Sequence, residues 1–286
     1  MQSIATDIYI DTQYLGATLG VISLPHGLIQ IDAPPSPEDC RAWRAALMNL
    51  GSGSERLLVN LDAHPDRTLG ARAMDCTIVA QEKTAHVFRT RPTTFKAQGD
   101  ETGSDWESIP GLGNIRWAPP EITFSHQMTI HWGDSPVLLE HHPGPTAGAA
   151  WVILPEAKVV FVGDAVLKNQ PPFLAGADLP VWIDTLKLLL SPAYRNWLVV
   201  SGRGGVVAVD VIRAQKDYLD QVQKKVEKLA NKKSAPEAVE NLITPLLRPF
   251  KISSSHLHKY TRRLRYGLHH YYTRHYRATG SGSGEE

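Results

Sequence analysis

Four short segments gather the residues able to do chemistry. The first is Asn60-Leu-Asp-Ala-His-Pro-Asp-Arg-Thr-Leu-Gly70, which sets Asp62, His64, Asp66 and Arg67 close together. The second, His141-His-Pro-Gly-Pro-Thr-Ala-Gly148, is a turn opened by two imidazoles. The third, Lys158-Val-Val-Phe-Val-Gly-Asp-Ala165, is an apolar run that ends in a Gly and Asp164. The fourth, Val199-Val-Ser-Gly-Arg-Gly204, holds Arg203 between glycines. A His beside a carboxylate can work as general acid and base, so His64 and Asp62 form the candidate catalytic pair. The same proximity also serves purely structural ends. Arg67 and Arg203 can hold a small anionic molecule, or pair bidentately with carboxylates.

These residues need a scaffold. Short strands are expected over residues 5–32, the last being Gly27-Leu-Ile-Gln-Ile-Asp32. Ser36-Pro37-Glu38-Asp39 opens a helix, with Ser36 as N-cap and Asp39 completing a capping box, and the helix runs to Leu50. Arg56–Leu61 reads as a strand, a helix follows with Pro65 in its first turn, and another strand–helix pair covers 76–89. Strands are expected at 127–132, 136–141, 150–154, 158–163 and Trp197–Val200. Helices are expected at 179–190 behind an Asp178 cap, at Val211–Leu229, at 236–248 and at 254–276. Residues 90–120 carry Trp106 and Trp117 but no clear period, which suits either a lid or a meandering connection. Strands alternating with helices, with hairpins between, imply layered α/β packing.

Composition narrows the options. The chain has 286 residues, 42% hydrophobic and 21% charged, which excludes a wholly disordered chain. Lys plus Arg (30) nearly balances Asp plus Glu (29), so no global charge points to nucleic acid or a membrane surface. No apolar run approaches the ~18 residues of a membrane span, and Met1–Asp7 lacks the features of a signal peptide. Cys40 and Cys76 are too few for a disulfide framework and suit a reducing compartment, so a cytoplasmic protein without a membrane partner is expected. No nucleophile elbow precedes a helix, and Gly144–Gly148 lacks the Gly-Lys-Ser/Thr of a phosphate-binding loop.

In order and spacing, the four segments make residues 5–230 resemble the metallo-β-lactamase-fold superfamily. The resemblance implies an α/β fold, an αβ/βα sandwich of two mixed β-sheets flanked by helices. It also implies hydrolysis at one or two metal ions held along one edge. The family's first motif, His-x-His-x-Asp-His, falls here on Asp62, His64, Asp66 and Arg67. Its next His falls on Pro145, its bridging Asp on Asp164, and its last His on Arg203. The metal ligands that remain, if a metal binds, are Asp62, His64, Asp66 and Asp164. A guanidinium has no acceptor and the proline ring no donor atom, so Arg67, Pro145 and Arg203 cannot ligate through their side chains.

A second metal is disfavoured, because two fixed cations would stand beside it at ~4 kcal/mol per unit-charge contact at ~4 Å and an effective dielectric of ~20. One divalent ion, zinc, iron or manganese, at Asp62, His64 and Asp164 remains the alternative, with His142 as a further ligand if it turns inward. The reading given more weight has no cofactor. Asp62, Asp66 and Asp164 are balanced by Arg67 and Arg203, and ion pairs close the pocket of a pseudoenzyme or anion-binding protein. Arg67 supports it: a cation in a helix's first turn opposes the helix dipole unless an acid meets it. The alternative function is a mononuclear hydrolase of an ester, thioester, lactone or phosphoester.

Residues 231–279 are expected to form a helical C-terminal extension to a domain of residues 1–230, with 280–286 a flexible or artificially appended tail. Residues 251–277 hold seven Lys or Arg, five His, five Tyr and no acid, a pattern compatible with nucleic-acid binding. A packed helix with a basic outer face accounts for it as well. The Gln170-Pro-Pro-Phe-Leu174 stretch could line the pocket entrance or simply connect.

Overall fold

The computed structural model describes residues 1–51, 53–97 and 101–277. The expected tail at 280–286 lies outside the described residues. One mixed sheet contains, in spatial order, β1 (Gln2–Ala5), β2 (Ile8–Asp11), β3 (Leu19–Ser23), β4 (Gly27–Ile31), β5 (Glu55–Asn60), β6 (Thr77–Gln81) and β9 (Ile122–Phe124). It is antiparallel from β1 to β4 and parallel from β4 to β9. β7 (Thr94–Phe95) and β8 (Ile115–Arg116) pair only with each other. The second sheet runs β10 (Gln127–Ile130), β11 (Val137–His141), β12 (Ala150–Leu154), β13 (Val159–Phe161), β14 (Leu198–Ser201) and β15 (Gly205–Val207). Only its β13–β14 pair is parallel.

Strand alternation sends one set of side chains between the sheets and the other outward. Ile8, Ile10, Ile29, Ile31 and Val59 of the first sheet meet Leu139, Val152, Phe161 and Val200 of the second in a buried inner core. Outward, Leu19, Val21, Leu28 and Leu58 pack on Trp43 and Leu47 of α1 (Pro37–Leu47). Ser36 caps that helix by accepting the Asp39 amide at 3.0 Å and donating its hydroxyl to the Asp39 carboxylate at 2.8 Å. The helix ends at Leu47, three residues earlier than its apolar spacing suggests. The four-residue α2 (Pro65–Thr68) follows β5, and α3 (Glu82–Thr90) follows β6.

The other outer face is thicker. Trp151, Ile153, Val160 and Val199 share one buried cluster with α4 (Leu179–Leu189), α5 (Val209–Asn231), α6 (Glu240–Leu247) and α7 (Ser254–Tyr276). Leu264, Leu268 and Tyr272 of α7 lie in the same cluster as Trp182 and Leu219, so the last two helices complete the outer layer. Truncating an anchor such as Trp182 would cost ~3–5 kcal/mol. No helix among the described residues is long and apolar enough to cross a membrane. The αβ/βα sandwich and its helical C-terminal segment are as the sequence predicts.

Strands β9 and β15 were not foreseen. Each has three residues; β9 follows Pro119-Pro120, and β15 starts at Gly205, which has φ +73°. Segments that short carry no readable period. The 90–120 stretch owes its order to aromatics rather than to periodicity. Trp106 and Trp117 are buried with Phe88, Leu69 and Leu112, and Phe95 meets both indoles edge-on.

Candidate functional site: an ion-pair lattice at the sandwich edge

The site residues emerge at the carboxyl ends of the parallel strands, where open α/β sheets place their functional groups. Asp32 follows β4, Asp62 lies just past β5, Asp164 follows β13 and Arg203 follows β14. Asp32 adopts φ +58°, a left-handed conformation that Asp tolerates better than most residues. Gly202 is required at its position, because a Cβ there would sit 2.6 Å from Oδ1 of Asp164.

Arg67 and Arg203 both turn inward onto the aspartates. Arg67 is fully buried; its Nη1 donates to Asp32 Oδ2 at 3.0 Å and its Nη2 to Asp164 Oδ1. Its Nε faces Asp62 Oδ1 at 3.3 Å as an ion pair without hydrogen-bond geometry. Arg203 Nη1 donates to Asp66 Oδ2 at 2.7 Å and Asp105 Oδ2 at 2.6 Å, and its Nε and Nη2 reach Asp164 at 3.2 and 3.3 Å. Asp66 is locked further, accepting the backbone amides of Asp105 at 3.1 Å and Trp106 at 2.7 Å. The aromatic cluster of the 90–120 segment therefore pins one face of the site.

His64 and Asp62 do not form the expected side-chain pair. Asp62 Oδ1 accepts the His64 backbone amide at 2.8 Å. The His64 ring caps α2 instead, its Nδ1 accepting the Asp66 amide at 3.2 Å with Arg203 Nη2 at 3.4 Å. An Nδ1 that accepts puts the proton of a neutral ring on Nε2. Burial pushes the His64 pKa down, and the nearby Arg203 adds to that, against an opposing pull from Asp66. His64 is therefore neutral at pH 7.

The other titrations follow from the lattice. Burial pushes the Asp164 carboxyl up, but Arg203 and Arg67 outweigh it and hold the group below the usual carboxylate range. Asp105 is held at about 2; burial opposes this, while Arg203, Arg263 and Lys259 lower it. Asp32 is pushed up to about 7 by burial, and Arg67 only partly offsets this.

The sequence did not single out Asp32, Asp105, Lys259 or Arg263 as site residues. Lys259 and Arg263 lie one helical turn apart on α7, and that spacing in an acid-free helix was a readable sign of one charged face. Lys259 Nζ donates to Asp105 Oδ1. Arg263 stacks its guanidinium 3.9 Å from the Phe173 ring centroid, and Arg203 lies 4.6 Å from the same ring. Arg263 also donates to the carbonyls of Gly103 and Pro171 and to Gln170 Oε1. The Gln170–Leu174 stretch thus both lines the site and holds this arginine. His142 turns away from the site: its ring stacks 3.8 Å from Trp151 and bonds to Glu140 at 3.0 Å.

These side chains do not suit a metal ion. The Asp164 oxygen in the bridging position is occupied by donors of both arginines, and the His64 Nδ1 lone pair is spent on a backbone amide. Among the described residues no group of three His, Cys, Asp or Glu is placed to hold one.

The fold and this edge site define a class. The model of the metallo-beta-lactamase superfamily matches residues 63–211. The chain belongs to that superfamily, as the four motif segments had suggested. It resembles a metallo-beta-lactamase from Pontibacter korlensis, with TM-score 0.62 and 20% identity over 77% of this chain and 97% of that one. It is also similar to DIM-1 metallo-beta-lactamase, at 0.60 and 18% over 77% and 96%. The stereoselective inverting sec-alkylsulfatase Pisa1 from Pseudomonas sp. superposes at 0.68 with 14% identity. That match covers 96% of this chain, extending into the C-terminal helices, but the chain spans about half the length of the sulfatase. These likenesses concern the fold. No curated protein matches the chain significantly.

Proposed function

We propose that this protein is a metallo-β-lactamase-fold pseudoenzyme that works without a metal and binds a ligand rather than hydrolysing one. One observation carries the reading: Asp164, in the bridging-ligand position, is shared between Arg67 and Arg203. Asp32, Asp62, Asp66, Asp105 and Asp164 are met by Arg67, Arg203, Lys259 and Arg263. A divalent ion placed there would face two fixed cations and would have to break charge-assisted bonds. At ~4 Å and an effective dielectric of ~20, each unit-charge contact opposes it by ~4 kcal/mol.

On this reading Arg67 and Arg203 act as scaffold rather than as ligand-binding residues. Both are buried and committed to internal acids. The mononuclear-hydrolase reading loses support because Asp164 accepts from both arginines and His64 Nδ1 accepts a backbone amide, which leaves these ligands engaged. The nucleic-acid reading loses support from the orientation of the basic segment. Besides Lys259 and Arg263, Arg265 pairs with Glu240, Arg274 donates to the carbonyls of Ala175 and Ala177, and Arg277 to those of Lys233 and Ser234.

Elemental analysis of protein purified without chelator and then dialysed tests the proposal. The expected result is zinc, iron and manganese all far below one per chain, and no metal-dependent cleavage of nitrocefin, p-nitrophenyl acetate or a p-nitrophenyl sulfate. Stoichiometric metal that survives dialysis would overturn it.

A further inference from the structure

Beside His64 lies a cavity of about 260 Å³ that the lattice leaves open. Pro65, Trp106, Phe173 and Leu174 line it with carbon. Most polar atoms around it are turned away or already bonded. Arg263 Nη2 and Thr146 Oγ1 are buried behind the cavity wall, and the Thr102 hydroxyl is bonded to Ser104 and Glu107. His64 differs. Its Nδ1 is turned inward and accepts the Asp66 amide at 3.2 Å, so the proton of the neutral ring sits on Nε2. No group among the described residues bonds to Nε2. The His64 side chain keeps 12% of its surface exposed, on the side of the ring away from the engaged Nδ1. Phe173, 4.4 Å away between ring centroids, holds the imidazole in this orientation. One fixed N–H donor is thus set in an apolar wall.

We propose that this cavity binds a small uncharged molecule with an apolar ring and a single acceptor atom, which takes the Nε2 proton of His64. The inference deepens the metal-free binding reading above and rests on it. Charge decides for a neutral ligand. The lattice next to the cavity sets five aspartates against four cations, so no cation is left over for an anionic head. A cationic head fares no better, because no Asp or Glu lines the cavity and Arg263 stands in its wall. A charged group taken in there would lose its hydration without a partner, which costs far more than burying a neutral acceptor that is hydrogen-bonded. Size sets the rest: a dry cavity near 150 Å³ holds benzene, so this one holds a ring of that size with a short carbonyl arm.

The test titrates the full chain with acetophenone, ethylbenzene and benzoate by calorimetry. Acetophenone should bind 1:1 and roughly 5-fold tighter than ethylbenzene, the scale of one neutral hydrogen bond. Benzoate should bind at least ~10-fold more weakly than acetophenone. His64→Asn keeps a side-chain oxygen to cap α2 but withdraws the Nε2 donor, and it should bring acetophenone to within about 2-fold of ethylbenzene. Gly176→Phe fills the cavity from a position where a Cβ meets only ordinary contacts, 3.7 Å from the Pro145 carbonyl oxygen and 3.9 Å from Thr146 Cγ2. It should abolish binding of acetophenone and ethylbenzene with the melting temperature unchanged. If either variant does not fold, the ranking of the three probes on the parent chain decides. Acetophenone that does not bind, that binds no tighter than ethylbenzene or benzoate, or that is unmoved by His64→Asn or Gly176→Phe overturns the proposal. Metal content separates the two readings: a metal-free protein that ignores acetophenone sinks this inference alone, whereas bound stoichiometric metal sinks the reading beneath it.

Discussion

Asp164→Asn is the sharpest probe of the lattice. The substitution keeps the side-chain shape and one acceptor oxygen but removes the charge shared by Arg67 and Arg203. Both guanidinium groups are buried, so the lost charge cannot be replaced by water. Removing one partner of a buried pair costs ~3–5 kcal/mol, because an uncompensated charge is left inside. At roughly 2 °C per kcal/mol for a chain of this size, the melting temperature should fall by ~6–10 °C. Urea unfolding followed by tryptophan fluorescence at pH 7.5 reads the loss directly, given Trp151 and Trp182 in the core. The loss should be nearly the same at low and high salt, because buried pairs are little screened. A double-mutant cycle with Arg67→Met should show a coupling on the order of 1–3 kcal/mol. A loss below ~1 kcal/mol, or one that vanishes in salt, would mean that these charges are solvated, and the reasoning fails.

Acid should unfold the protein through Asp105 and Asp164. Their folded pKa values lie below the ordinary carboxylate value, so the stability they confer is present above pH ~4 and drains away as pH falls toward about 2. Asp32 has the opposite sign. Its pKa is raised to about 7, so the folded state holds an extra proton between pH ~4 and 7, and stability declines as pH rises through that window. Asp32→Asn should flatten this decline by a few kcal/mol in melting experiments from pH 4.5 to 8; an unchanged slope would refute it. Arg67→His combined with Arg203→His should raise zinc affinity, measured by competition with a fluorescent chelator, because it removes both buried cations and restores two ligands. No gain would mean that these residues do not share one pocket. Trp106→Ala should destabilise by ~3–5 kcal/mol and loosen the segment that donates amides to Asp66, visible as faster hydrogen exchange at Asp105 and Trp106.

The helix caps at Ser36 and Asp178, the apolar strand runs and the 3.6-residue stripe of α5 are local patterns, and each could be read from the sequence. So could the superfamily, because its motifs are short and fixed in spacing. The replacement of metal ligands by Arg67 and Arg203 was equally legible, since a residue's identity settles what its atoms can ligate. Strands β9 and β15 escaped notice because three residues carry no period, and pairing with a neighbouring strand defines them.

What tertiary structure alone decided was which charges meet. Asp32 and Arg67 are 35 positions apart, and Arg203 and Asp105 are 98 apart. Parallel pairing of β4 with β5 brings the first pair together, and only the packing of the second sheet's edge against the aromatic 90–120 segment brings the second within bonding distance. Ring direction was likewise invisible: His64 turned to a backbone amide and His142 to Trp151. Side-chain identity fixes what chemistry is available, whereas burial and orientation fix which partner each group meets, and those are properties of the packed whole.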